Sequence, residues 1–239
     1  MFSYYGSKSK LIHLYPKPKH NKIIEPFAGS ARYALEYWQN DILLVDKYKT
    51  IVDVWHYLQN ASAKDILSLP ILKKKGDKLT NYNLSDIEKK FMGFCISCSD
   101  PTPRNMITDR LVFHRPKQLK YRLNFIARNL FKIKHWQIQK GSYKDIENQK
   151  ATWFIDPPYQ FGGECYKESN KNINYEELAD WCKSRKGQVI VCESMQADWM
   201  KFVPLKRFRG NSNKHYTEAI WYNGFEKRFF DYRQKELGI

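Results

Sequence analysis

Apolar residues fall in short runs separated by polar turns, and their spacing alternates between strand-like and helix-like along the chain. Residues 22–27, Lys-Ile-Ile-Glu-Pro-Phe, predict a strand, and Ala28-Gly29-Ser30-Ala31 turns the chain. Tyr33, Ala34, Tyr37 and Trp38 then recur at helical spacing, and residues 42–45, Ile-Leu-Leu-Val, predict a second strand that ends at Asp46. Strand, loop, helix and strand in this order open a doubly wound sheet. The same pattern returns late in the chain. Leu123, Ile126, Ala127 and Leu130 mark a helix over residues 119–131, followed by strands at 136–138 and 152–155. A helix at 176–182 and strands at 189–192 and 217–222 complete the series. The expected class is α/β, a Rossmann-like sheet with helices on both faces.

The middle of the chain reads differently. Residues 55–69 predict one helix stopped by Pro70, and Lys73-Lys74-Lys75-Gly76 is a basic turn. Residues 91–115 are rich in Ser, Cys, Pro, Asn and Arg and predict irregular structure. A long irregular stretch inside a sheet protein points to an inserted functional region. The expected organisation is a main domain of residues 1–53 and 118–239, with an insertion at 54–117. No internal repeat or low-complexity tract is present.

Composition narrows the partners. Of 239 residues, 42% are hydrophobic and 15% aromatic, enough for a sizeable core. No run of 18 apolar residues exists, so no membrane span is expected. The first residues lack a secretory pattern, and the five cysteines are scattered and odd in number, which fits a reducing cytoplasm. Cys95-x-x-Cys98 has no second pair at zinc-ribbon spacing, and His13, His20, His56, His114, His135 and His215 show no ligand spacing, so no metal is expected. Lysine and arginine number 41 against 25 acids, a formal net charge of +16. That excess points to a polyanion, and nucleic acid is the expected partner.

The chemistry concentrates after the strand that ends at Ile155. Asp156-Pro157-Pro158-Tyr159 is expected by chance in about one chain in a thousand of this length. The prolines end the strand and stiffen the backbone, and the Pro157 carbonyl has no obligatory partner. A carboxylate, a carbonyl and an aromatic ring together suit a planar, amine-bearing ring. The competing reading is an ordinary strand-ending turn. Two further strand ends bear suitable groups. Gly29 in Phe27-Ala28-Gly29-Ser30 allows close backbone approach. Asp46, 17 residues later, sits near the spacing at which a carboxylate meets ribose hydroxyls. No glycine-rich phosphate cradle is present, so the expected ligand has a ribose but no pyrophosphate. Taken singly, Gly29 also reads as a tight turn and Asp46 as a surface acid or helix cap.

The order Tyr4-x-Gly6-x-Lys8, Glu25-Pro26-Phe27-Ala28-Gly29-Ser30, Asp46 and Asp156-Pro157-Pro158-Tyr159 resembles the Dam-like adenine-specific DNA methyltransferases. Thr217-Glu218-Ala219-Ile220-Trp221-Tyr222-Asn223 resembles that family's last strand. The resemblance covers both ends of the chain and leaves the middle as the target-recognition region. It implies S-adenosylmethionine as methyl donor, duplex DNA as partner and the exocyclic amine of a flipped adenine as acceptor. It implies that Tyr4 lies against the cofactor, that Lys8 contacts cofactor or target, and that Phe27, Ala28, Gly29 and Ser30 lie under the methionine part. Asp46 would hold the ribose, and Asp156, Pro157, Pro158 and Tyr159 the adenine. Ala31 stands where the family often has glycine. Ser142 stands where it often has an acid facing the cofactor's adenine.

Phosphate contacts are expected from Lys73, Lys74, Lys75, Arg104, Arg110, Arg115, Lys117 and Lys120 around the insertion. Arg207, Arg209 and Lys214 join them from a polar loop before the last strand. Arg104-Asn105 is the expected base-reading pair, since Arg suits guanine and Asn suits adenine. Three other readings stay open on sequence: adenine methylation of RNA, a silent DNA-binding protein on the same scaffold, and protein-glutamine methylation. The last usually has Asn in place of Asp156 and fits the charge less well.

Overall fold

The computed structural model describes residues 1–9, 11–97, 100–107, 115–209 and 215–224. Five strands alternate with helices: β1 (Lys22–Glu25), β2 (Asp41–Asp46), β3 (Gln137–Lys140), β4 (Ala151–Ile155) and β5 (Gly187–Ser194). These run parallel, and a closing hairpin of β6 (Val203–Arg209) and β7 (His215–Tyr222) joins through β7, antiparallel to β5. The seven-stranded mixed sheet has the order β3-β2-β1-β4-β5-β7-β6. From β1 the chain moves outward through β2 to β3, then returns to β1's other side at β4. The crevice where two connections part in this way is the usual ligand position in open α/β sheets.

Both faces of the sheet are covered because successive apolar side chains point to opposite sides. Ile23, Leu44, Phe154 and Ile190 pack into one core, with Tyr33, Trp55, Phe91 and Leu123 from the helices. Their neighbours Ile24, Leu43, Trp153 and Val191 pack into the other. The first face bears α1 (Arg32–Glu36), α2 (Lys49–Asn60), α3 (Ala63–Leu67), α4 (Asp86–Cys95) and α5 (Arg115–Asn129). The second bears α6 (Tyr175–Ser184), through Leu178, Ala179 and Cys182. Among the described residues no helix is long and apolar enough to cross a membrane.

Three elements differ from the sequence reading. The helix expected over 55–69 is two helices, because Ser62 starts a new one with a capping box to Asp65. The first of them, α2, already begins at Lys49, so the expected boundary at residues 53/54 falls inside a single amphipathic helix. Residues 91–95, expected to be irregular, are the buried end of α4. Gly93 is there for close packing: a Cβ would lie 2.5 Å from the Arg104 carbonyl oxygen and 2.7 Å from Pro103. Finally, Arg207 and Arg209 lie in β6, not in a loop. Pro204 and three charged side chains hide that strand. It tolerates the proline because it is the edge strand and its register shifts between Pro204 and Lys206.

Candidate active site at the carboxyl edge of the sheet

The ends of β1, β2, β3 and β4 open on one cavity of about 370 Å³. Tyr4, Lys8, Phe27, Ala28, Gly29, Ser30, Asp46, Ser142, Asp156 and Pro158 all line it, so most of the residues singled out on sequence meet in one place. Pro157 and Tyr159 are not on its wall. Residues 160–174 close one side through Tyr166, Glu168, Asn172 and Asn174.

The loop after β1 is held from several directions. Gly29 has φ +43, a left-handed conformation that glycine adopts freely, and its N–H donates to Asp46 Oδ2 at 2.9 Å. Trp55 Nε1 donates to the Gly29 carbonyl at 2.9 Å. A Cβ on Gly29 would sit 3.1 Å from the Tyr4 ring, which is how closely Tyr4 covers the loop. Ala31, where the resembled family often has glycine, also has positive φ, at 44. An L-residue held there stores about 1–2 kcal/mol. Ser30 and Arg32 both donate to Ser7 Oγ, which ties the N-terminal segment across the loop.

Asp46 also accepts from Tyr48 N at 2.8 Å, so each carboxylate oxygen holds one backbone N–H and keeps a further lone pair. Burial pushes its pKa up to about 6 despite those two donors. Glu25, at the end of β1, is almost fully buried and accepts from Ala34 N at 2.6 Å. Burial drives its pKa up to about 8, against the pull of that N–H. Phe27 packs on Tyr143 with ring centroids 5.5 Å apart. Ser142 caps the turn after β3, its Oγ accepting from Lys144 N.

At the other end, Lys8 is buried and its ammonium lies 3.0 Å from Asp156 Oδ1 and 3.5 Å from Glu218 Oε1. Burial works against the Lys8 charge, but these two carboxylates outweigh it and raise its pKa. Burial raises Asp156 to about 6, moderated by Lys8. The Tyr159 hydroxyl donates to Glu218, Tyr15 donates to the same oxygen at 2.8 Å, and the Lys8 ammonium stands 4.5 Å from the centre of the Tyr159 ring. Tyr159 therefore points inward, with a cation over its ring. The Pro158 carbonyl accepts from Tyr175 at 2.6 Å, whereas the Pro157 carbonyl has no donor among the described residues.

The residues expected to grip phosphate are scattered by comparison. Lys117 and Arg207 are exposed, on α5 and β6. Arg104 is paired with Asp100, and Asn105 is exposed beside it. Arg115 opens α5 and Arg209 ends β6, while Arg110 and Lys214 lie outside the described residues. Lys8 faces the cavity interior and not the outer surface. Sequence reading gave no role to Glu25, Glu218, Trp55 or Tyr166. Glu25 had an available signal as an acid closing an apolar strand, and Glu218 had one in the last-strand resemblance; tertiary folding delivers Trp55 and Tyr166. Among the described residues no cluster of three metal-ligating side chains occurs.

The cavity thus offers an acceptor for hydroxyls at Asp46 and a buried acid at Glu25. Asp156 supplies a second carboxylate, close to the unpaired carbonyl of Pro157. No protein-family model matches the chain, and comparison with curated proteins returns no match.

Proposed function

We propose that this protein is an S-adenosylmethionine-dependent methyltransferase with a Rossmann-like catalytic domain, acting on the exocyclic amine of adenine in duplex DNA. One observation carries the reading: Asp156 and Pro158 share a single cavity with the Gly29 loop and Asp46. A donor and an acceptor must meet within one enclosed space for group transfer, and these strand ends supply a place for each. The volume suits a nucleoside-sized ligand.

The residues present fit the cofactor by the chemistry of their acceptors. Asp46 has lone pairs left for two ribose hydroxyls, and Glu25 can ionise against a cation. Tyr4 and Phe27 supply apolar walls, and nothing in the cavity resembles a phosphate cradle. When bound, S-adenosylmethionine supplies an electrophilic methyl group on a sulfonium. The protein's task is to present the amine. The Asp156 carboxylate on the cavity wall would take one of its hydrogens and stabilise the charge growing on nitrogen, and the Pro157 carbonyl, which lies off that wall, would have to turn toward the cavity to take the other. Lys8 would keep Asp156 ionised below neutral pH and fix its orientation. The methylated amine then sheds a proton readily, so no strong base is needed. An adenine in duplex DNA must leave the stack to reach this depth.

The test is incubation with methyl-labelled S-adenosylmethionine and unmethylated duplex DNA of mixed sequence. Label is expected in adenine, and Asp156→Ala should abolish it while DNA binding stays within a few fold. Absence of label from folded wild-type protein refutes the reading; label in RNA but not DNA changes the substrate class.

A further inference from the structure

The outer face of α5 has no place in the site described above, yet it is unlike a solvated helix surface. Leu119, Leu123, Ile126 and Leu130 face the core. On the opposite side, Lys117, Tyr121, Phe125 and Arg128 follow one another at spacings of four, four and three, which places them on one stripe. Tyr121 is 73% exposed and Phe125 47%. Such rings at the solvent side of an amphipathic helix lose the apolar contact that normally places them inside. Among the described residues the side chains of all four have no hydrogen-bond, ion-pair or ring partner.

Charge identifies the occupant. Within α5, residues 115–129, five lysines and arginines occur and no acid. On the adjoining α3, Asp65 is occupied in its own capping box with Ser62. A second copy of this chain would bring the same positive stripe against it, so like charge disfavours self-association. A polyanion is favoured.

Position agrees with that. Arg122, at the middle of α5, donates to the Cys95 carbonyl at the end of α4. Phe94, one residue earlier, packs edge-on to Tyr4 on the cavity wall, with centroids 5.7 Å apart. The middle of α5 is therefore linked to the cavity wall through Cys95 and Phe94. Lys117 to Arg128 spans about 16 Å of helix, close to five base-pair steps.

We infer that the exposed face of α5 is a second nucleic-acid contact, which holds duplex DNA flanking the target through Lys117, Tyr121, Phe125 and Arg128. The cations meet phosphates, and the two rings lie against sugars and base edges. This rests on duplex DNA as the partner in the function proposed above and not on methyl transfer.

The experiment measures affinity for a short duplex of about 12 base pairs and a long one of about 30 across a salt series. It uses wild type, Lys117→Ala/Arg128→Ala and Tyr121→Ser/Phe125→Ser. These positions are exposed, and circular dichroism and melting temperature check that each variant folds. On the long duplex, the charge variant should lose about 0.9 from the salt slope for each cation removed. The ring variant should bind more weakly at every salt concentration with its slope unchanged. Both should bind the short duplex with less change than the long one. If wild type binds the long duplex and both variants match it, the inference fails while the proposed function stands. If the variants instead change the sedimentation of the free protein, the face joins copies of the chain and the inference also fails. If wild type binds no duplex, the proposed function and this inference fall together.

Discussion

Replacing Glu25 with glutamine should make the protein more stable at neutral pH, although it alters a buried residue in the candidate site. Glu25 is almost fully buried, and its pKa rises from an ordinary 4.5 to about 8. Between those values the native state holds a proton that the unfolded chain has released. Folding must take that proton up, so stability falls as pH rises from about 4.5 to 8, and the slope ends above the folded value. At about 1.4 kcal/mol per pH unit, the cost at pH 7 is about 3 kcal/mol. Glutamine has no proton to take up, and its amide oxygen can still accept from Ala34 N. Urea unfolding of both proteins from pH 5 to 8.5 is the assay, followed by the fluorescence of the seven tryptophans. Asp46 and Glu193 are also pushed up, but they contribute equally to both curves and cancel in the difference, whereas the Asp156 charge is one of the causes that raises Glu25 itself. The two stabilities should lie within about 1 kcal/mol at pH 5 and diverge by about 3 at pH 7. A gap that stays constant within about 0.5 kcal/mol across that range refutes the argument. A cationic ligand beside Glu25 should also expel this proton, so its affinity should rise with pH up to about 8 in wild type and stay flat in the variant.

Three further outcomes follow from single contacts. Lys8→Met strands Asp156 and Glu218 without their shared cation and should cost about 3–5 kcal/mol in chemical unfolding, with the loss shrinking as pH falls below about 6 and Asp156 protonates. Ala31→Gly relieves about 1–2 kcal/mol of backbone strain, which roughly offsets the lost methyl burial and the freer unfolded chain. It should be near neutral, whereas Ala34→Gly inside α1 should cost at least about 1 kcal/mol; equal losses would contradict the strain argument. Gly6→Ala puts a Cβ 2.2 Å from the Tyr166 hydroxyl, but the next ring atom is 3.6 Å away. Its melting-temperature loss should therefore be smaller in a Tyr166→Phe background, and undiminished loss would mean that the positive φ of Gly6 dominates.

Periodicity found β1, β2, β4 and β5 because each is a run of apolar residues buried on both faces, a signal that local sequence contains in full. It failed at β6, where Pro204 and charged side chains are acceptable only because nothing pairs beyond that edge. It failed at residues 91–95 too, read as irregular when they end a buried helix whose Gly93 makes room for a neighbouring segment. The same division holds in the site. Asp46 and Asp156 were legible because each closes an apolar run at a strand's carboxyl end, and Gly29 because it lies in the turn that follows such a run. The inward turn of Tyr159 was not, because Glu218 and Lys8 arrive from the far ends of the chain. The stacking face expected of that tyrosine instead has an ammonium above it.

The bond from Trp55 to the Gly29 carbonyl bears on how such proteins can be recombined. Residues 54–117 read as a detachable specificity cassette, and 53/54 looks like the natural cut. A chimera joined there would take its indole from the donor of the cassette while keeping its own Gly29 loop. Unless the donor also places tryptophan at that turn of α2, a partly buried carbonyl loses its partner and the loop loses its strut. A swap of the segment expected at 54–117 should therefore begin after Asn60, where α2 has ended, so that the loop and the helix that supports it travel as one inherited unit.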